Sequence, residues 1–207
     1  MTKLRIGRRT ALAAGLATLA GPAVVRAQAD PIKLATLTPL TGAGGPYGPV
    51  MAKAAASVVE EVNKAGGVLG RRIVLVSEDD QTNPEAAVRA ARKLIDVDKV
   101  SAIMGTWASS VTTAVAPLCW ESKTFLCTVS GADSITLLPH QGFLIRTQPN
   151  SRLQVTRVGE FILSMGAKKA FTMIPQTPFT QSTFEVLNQV LPKGGCCLLY
   201  TSDAADD

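Results

Sequence analysis

The stretch IKLATLTPLTGAGGPYGPVMAKAAASVVEEVNKAGGVLGRRIVLVS, residues 32–77, changes hydrophobic period twice. Ile32 to Leu37 is a short apolar run with the length of a buried strand. A Gly/Pro loop, TPLTGAGGPYGP, interrupts it at 38–49. Val50, Met51, Ala54, Ala55, Val58, Val59 and Val62 then recur at helical spacing. That helix stops at NKAGG, where Gly66 can take the left-handed position just past a helix end. Arg72 to Ser77 returns to strand. A strand, a helix and a second strand in this order make a β-α-β unit, and with it a parallel sheet.

The same alternation continues outward. Asn83-Pro84 supplies an N-cap and a Pro at the first helical position, predicting a helix to about Val97. Val100–Met104 reads as a third strand, Ser109–Glu121 as a helix, Thr124–Thr128 as a fourth strand and Gly142–Arg146 as a short fifth. TQPNSR, 147–152, breaks the pattern and marks a lobe boundary, with a first lobe over 30–148. A helix from about Ser151 to Met165, a strand Ala170–Ile174 and a helix from about Thr180 to Leu191 follow, so that 149–195 begins a second lobe. The fold class expected is α/β, with two doubly wound parallel-sheet lobes and the second one cut short.

Both ends differ from this texture. Of the 21 Lys and Arg, five (Lys3, Arg5, Arg8, Arg9 and Arg26) lie in the first 29 residues, where no acid occurs. The rest of the chain balances its 16 acidic residues with as many basic ones, so the net charge of +5 is no polyanion-binding signal and no nucleic-acid partner is expected. Residues 1–29 combine a twin Arg, a mild Ala/Leu/Gly run too short to span a bilayer, and a small-x-small end at Ala27-Gln28-Ala29. They resemble a bacterial twin-arginine (Tat) leader cleaved before Asp30, or an ordinary Sec signal carrying Arg-Arg; either way an exported, periplasmic protein is expected. At the other end CCLLYTSDAADD, 196–207, has no helix or strand period and resembles a translated sequencing adapter. Residues 196–207 are expected to be non-native and the chain a fragment. That leaves Cys119 and Cys127, which an exported chain could bridge if geometry permits.

Several chemistries are excluded by what the residues lack. GAGGPYG follows a strand, but Tyr47 occupies the third Gly position of a dinucleotide fingerprint, and Glu78-Asp79-Asp80 lies too far on for a ribose-binding acid. Asp79 and Asp80 are expected to stabilise their loop and the next helix start instead. His140, in a LPHQG turn, is the single His in the chain. No metal site is visible, and no His pair, Ser-His-Asp or Cys-His arrangement can be built without it, so no enzyme activity and no cofactor is expected. In GTWASSVTTAVAP, 105–117, Ser109 and Ser110 stand where the third strand hands over to a helix. Two readings are open: a small anion site made with free helix N–H groups, or a simple helix cap.

PLTGAGGPYG, EVNKAGGVLGRRIVLVSEDDQTNPEAA, IMGTWASS and FLIRTQP together resemble the branched-chain-amino-acid-type substrate-binding proteins of ABC transporters, from about Pro31 to Gly195. The resemblance implies a type I periplasmic-binding fold, in which two lobes close on a small ligand that is delivered to a membrane permease. It implies that Ser109, Ser130, Gly131, Ala132 and neighbouring N–H groups face the ligand's carboxylate and ammonium. Tyr47 is then the aromatic over the cleft, Trp107 a side-chain wall and Phe179 the first contact from the second lobe. Ala132 stands where amino-acid binders usually place a hydroxyl residue, and Thr82 and Ala108 stand where some members carry a disulfide. The ligand implied is an amino acid, an amide or urea, or an aromatic acid. The alternatives are a ligand-sensing domain of a regulator and an exported α/β enzyme.

Overall fold

The computed structural model describes residues 30–202; the leader-like segment 1–29 and residues 203–207 lie outside the described residues. Strands and helices alternate as β1 (Ile32–Thr38), α1 (Gly48–Lys64), β2 (Ile73–Asp79), α2 (Pro84–Arg92), β3 (Ala102–Gly105), α3 (Ser109–Glu121), β4 (Phe125–Thr128), β5 (Leu144–Arg146), α4 (Ser151–Ser164), β6 (Lys169–Ile174), α5 (Pro178–Val190) and β7 (Cys197–Ser202). The first five strands form one parallel sheet in the order β2-β1-β3-β4-β5, with Leu34 opposite Leu75 on one side and Ala102 on the other. The last two strands pair in parallel as a separate sheet.

The order dictates where the helices go. The crossover through α1 moves away from β3, whereas those through α2 and α3 run the other way, so right-handed connections put α1 on one face and α2 and α3 on the other. Alternation along β1 then sorts its side chains: Ala35 and Leu37 join Ile103, Leu126, Ala87, Leu94, Val111 and Val115 in the main core. Thr36 points to the opposite face, where its hydroxyl donates to Ser77 Oγ at 2.9 Å. That face is thinly covered: Gly48 is the one buried residue of α1, while Val50 and Val58 are exposed.

Local signals place the helix ends. Asn83 Oδ1 accepts the Ala86 N–H at 3.0 Å with Pro84 at the first position, as expected for a capped start. Beyond Arg92 a π-helical turn, Lys93–Val97, completes the helical run predicted to reach Val97. Asn63, near the end of α1, bonds both the N–H (2.7 Å) and the C=O (2.8 Å) of Ile73, pinning helix to strand. Gly66 follows α1 with φ +103°, the conformation the sequence reserves for it.

One expectation is corrected. Cys197–Ser202, read from the sequence as having no strand period, forms β7, with Cys197 opposite Lys169 and Ser202 opposite Ile174. The open edge of β6 supplies the backbone pairing that local propensity did not call for. Cys196, just before it, is buried with Leu187 and Leu191. Cys119 and Cys127 are both free thiols, and burial pushes the Cys119 thiol up to about 12.

Candidate functional site

In this strand order the chain leaves β1 toward β2 and leaves β3 toward β4, so a crevice opens outside the carboxyl ends of β1 and β3, the place where open α/β sheets hold ligands. The loops that follow those two strands carry Tyr47 and Trp107. Their rings stack with centroids 5.0 Å apart and planes at 25°, and both remain partly open to solvent. Gly44 makes this possible: a Cβ there would lie 2.9 Å from Trp107 Cε3 and 2.8 Å from Pro39 Cγ.

The loop after β2 holds the first of these loops in place. Asp79 accepts the N–H groups of Leu40 (2.8 Å) and Thr41 (3.2 Å) and the Thr41 hydroxyl (2.6 Å), and Thr82 Oγ1 accepts the Gly44 N–H (2.8 Å). Partial burial pushes the Asp79 carboxyl up, but hydrogen bonds from Thr41, Gln81 and Leu40 outweigh it and hold the group below its ordinary range. Asp80 is fully buried, accepts the Thr82 N–H, and is pushed up by loss of solvent. Both acids serve the loop, as the sequence suggests.

Helix α3 begins at Ser109, and its N-cap is Ala108, which offers no side-chain bond. Ser109 therefore is not the cap. Its hydroxyl instead accepts the Ala132 N–H at 3.2 Å, joining α3 to the turn after β4. An oxygen that accepts this bond keeps its own proton available. Among the described residues the main-chain N–H groups of Ser109 and Ser110 have no acceptor, as expected in the first turn of a helix.

Beneath this corner lies a set of buried hydroxyls that the sequence reading missed. Thr106 Oγ1 donates to Thr128 Oγ1 at 2.9 Å, and Thr112 Oγ1 shares bonds with Thr128 Oγ1 (3.0 Å) and Ser130 Oγ. Ser130 Oγ also lies within bonding distance of the carbonyls of Thr106 (2.6 Å) and Trp107 (3.0 Å). Ser130, expected to face a ligand, has no exposed surface; its hydroxyl ties the turn to β3. Thr residues at the carboxyl ends of two adjacent strands are the signal that could have revealed this.

Gly131 and Ala132 lie beside it, both buried. A Cβ on Gly131 would come within 2.6 Å of Phe179 Cε2, so Phe179 from α5 rests directly on this turn. Arg146, also missed, donates from Nη1 to the Ala132 carbonyl at 2.8 Å. The two sheets are joined here: the Ser151 N–H (2.8 Å) and hydroxyl (2.9 Å) both donate to Gly131 O, and Arg152 N donates to Asp133 Oδ1 at 3.1 Å. The structure thus brings Tyr47 and Trp107 together, Ser109 against Ala132, and Phe179 against Gly131. Gly131→Ala is expected to displace Phe179. Overpacking costs about 1–3 kcal/mol, so a melt of this variant should show a lowered melting temperature.

His140 lies outside this corner, its Nδ1 accepting the Gly142 N–H at 3.2 Å. Among the described residues no group of three or more His, Cys, Asp or Glu is placed to hold a metal ion, and no helix is long and apolar enough to cross a membrane.

Residues 31–204 match the family described as periplasmic binding protein. The chain belongs to that family. It is 31% identical over 157 residues to the leucine-, isoleucine-, valine-, threonine- and alanine-binding protein of Pseudomonas aeruginosa, covering 75% of this chain and 42% of that one. Among solved structures it is similar to the branched-chain amino acid transporter substrate-binding protein LivJ of Streptococcus pneumoniae in complex with isoleucine, at a TM-score of 0.77 and 22% identity, covering 86% of this chain and 51% of that one. It is also similar to an ABC transporter solute-binding protein of R. palustris in complex with benzoate, with a TM-score of 0.73, 24% identity, and 86% and 49% coverage. The family member spans about half the length of these relatives, or less, and shares their type I periplasmic-binding fold.

Proposed function

We propose that this protein is an extracytoplasmic receptor that captures a small carboxylate or amino-acid-like solute between two lobes and delivers it to an ABC permease, without catalytic activity. The observation that carries the reading is the Tyr47–Trp107 stack, set at the crevice between β1 and β3 beside the unpaired N–H groups of α3. Aromatic walls exclude water from an apolar ligand body, while oriented N–H groups and the Ser109 hydroxyl receive its carboxylate. Phe179 on Gly131 is where the second lobe, from residue 149, would close the cleft. The relatives' names support the ligand class: one binds five amino acids, one structure holds isoleucine and another benzoate. The leader-like residues 1–29 support export to the periplasm by the Tat route.

The test is a thermal-shift panel of amino acids, amides and aromatic acids on a full-length chain. A ligand at about a hundred times its Kd stabilises by about 2.7 kcal/mol, which reads as a clear rise in melting temperature. The hit should be recovered chemically unchanged after prolonged incubation. Turnover of the bound compound would make the protein an enzyme and overturn the reading.

A further inference from the structure

The loop after β2 contains backbone strain that the receptor reading does not use. Gln81 and Thr82 are consecutive residues at φ +54° and +55°, the left-handed region. For Thr, whose branched Cβ crowds the following carbonyl there, that conformation is costly and persists only where the surroundings impose it. They impose it here. Asp79 Oδ1 accepts the Gln81 N–H and Asp80 Oδ1 the Thr82 N–H, both at 2.8 Å. Asp80 has no exposed surface, so its carboxyl cannot turn to water and release the bond. A turn needed only to connect β2 to α2 would be served by Gly or Asn at this φ, without the strain.

The strained conformation aims Thr82 Oγ1 at the loop after β1. It accepts the Gly44 N–H at 2.8 Å and donates to Thr41 O at 3.3 Å. Gly44 O in turn accepts the Tyr47 N–H at 2.9 Å. Gly44 is buried against Trp107, where a Cβ would lie 2.9 Å from Cε3. A single residue therefore stands between Thr82 and both rings of the stack. Its N–H is held by Thr82, its C=O holds Tyr47, and its Cα lies against the Trp107 ring. The main chain at Trp107 is fixed separately, since Trp107 O accepts the Ser130 hydroxyl at 3.0 Å and the Thr106 N–H donates to Leu37 O at 2.7 Å. A change at Thr82 thus reaches the Tyr47 side of the pair and leaves the Trp107 backbone where it is.

We infer that Thr82 is a positioning residue for the aromatic wall: its hydroxyl oxygen, aimed by Asp80, sets where Tyr47 stands over Trp107. This role rests on the receptor reading and deepens it. The test is fluorine NMR of a full-length chain labelled with 5-fluorotryptophan. Trp107→Phe and Trp120→Phe assign the two resonances by their loss, and Tyr47→Leu gives the Trp107 position without the stacked ring. Thr82→Val keeps the branched Cβ and removes only the hydroxyl. It is expected to move the Trp107 resonance at least about halfway to its Tyr47→Leu position and to leave Trp120 unmoved, while Thr82→Ser, which keeps the oxygen, holds the wild-type position. Thr82→Gly, unstrained at this φ but lacking the oxygen, should behave as Thr82→Val does, and decides the matter if Thr82→Val does not fold. A wild-type Trp107 resonance in the folded oxygen-free variants, a displaced one in Thr82→Ser, or movement of Trp120 together with Trp107 would overturn the inference and leave the receptor reading standing. If Tyr47→Leu itself leaves the Trp107 resonance in place, the rings do not stack, and the receptor reading loses the observation that carries it as well.

Discussion

Ser109→Ala in a full-length chain should weaken ligand binding about ten- to a hundredfold, because a hydrogen bond to a charged group is worth about 1.5–3 kcal/mol. The residue is 5% exposed, so water cannot replace the lost hydroxyl as it would at a surface. The structure also sets the accompanying loss of stability. Ala108, not Ser109, is the N-cap of α3, so no cap is lost. What is lost within the protein is the acceptor of the Ala132 N–H, worth about 1 kcal/mol. Titration and a melt on the same variant separate the two effects: a large affinity loss with a small fall in melting temperature is expected. Stability lost with affinity kept would mean that Ser109 only braces the 130–132 turn, and that the anion is received elsewhere.

Residues 30–207 by themselves should not melt as one cooperative unit. Among the described residues one face of the β6–β7 pair is open, with Phe171 61% and Met173 73% exposed, and a two-stranded sheet is marginal in water. Leu153 and Phe161 on α4 and Met165 just past its end are open as well, as are Val50, Val58 and Val74 around α1 and the edge strand β2. Contiguous apolar surface beside unpaired strand edges favours association over a compact monomer. The expected observations are a broad thermal transition, strong binding of a hydrophobic dye and aggregation at micromolar concentration. A sharp, reversible, dye-silent melt would show that these surfaces are tolerated and sink the prediction. A chain extended to the length of its relatives should melt cooperatively under the same conditions.

Local chemistry made much of the first sheet readable without coordinates. Helix α3 occupies the predicted span Ser109–Glu121, and Asn83-Pro84 starts α2 as a capped helix. These features depend on neighbours within one turn, where residue identity alone decides who can bond to whom. The aromatic pair was legible only as two separate residues. Tyr47 and Trp107 meet because β3 lies next to β1 in the sheet, and no periodicity in the sequence encodes that adjacency.

The remainder of the site depended on such long-range choices. Thr106, Thr112, Thr128 and Ser130 disclose no shared role until β3, β4 and α3 converge and enclose their hydroxyls. Arg146 reads as the end of a short strand, yet the turn after β4 brings the Ala132 carbonyl to it. Cys197–Ser202 becomes a strand only against the edge of β6. The sequence by itself determined the elements, their caps and the β-α-β alternation, since each rests on short-range geometry and hydrophobic period. The tertiary structure decided which donors and acceptors of the cleft remain unpaired, since that depends on which distant groups the sheet order brings into bonding range.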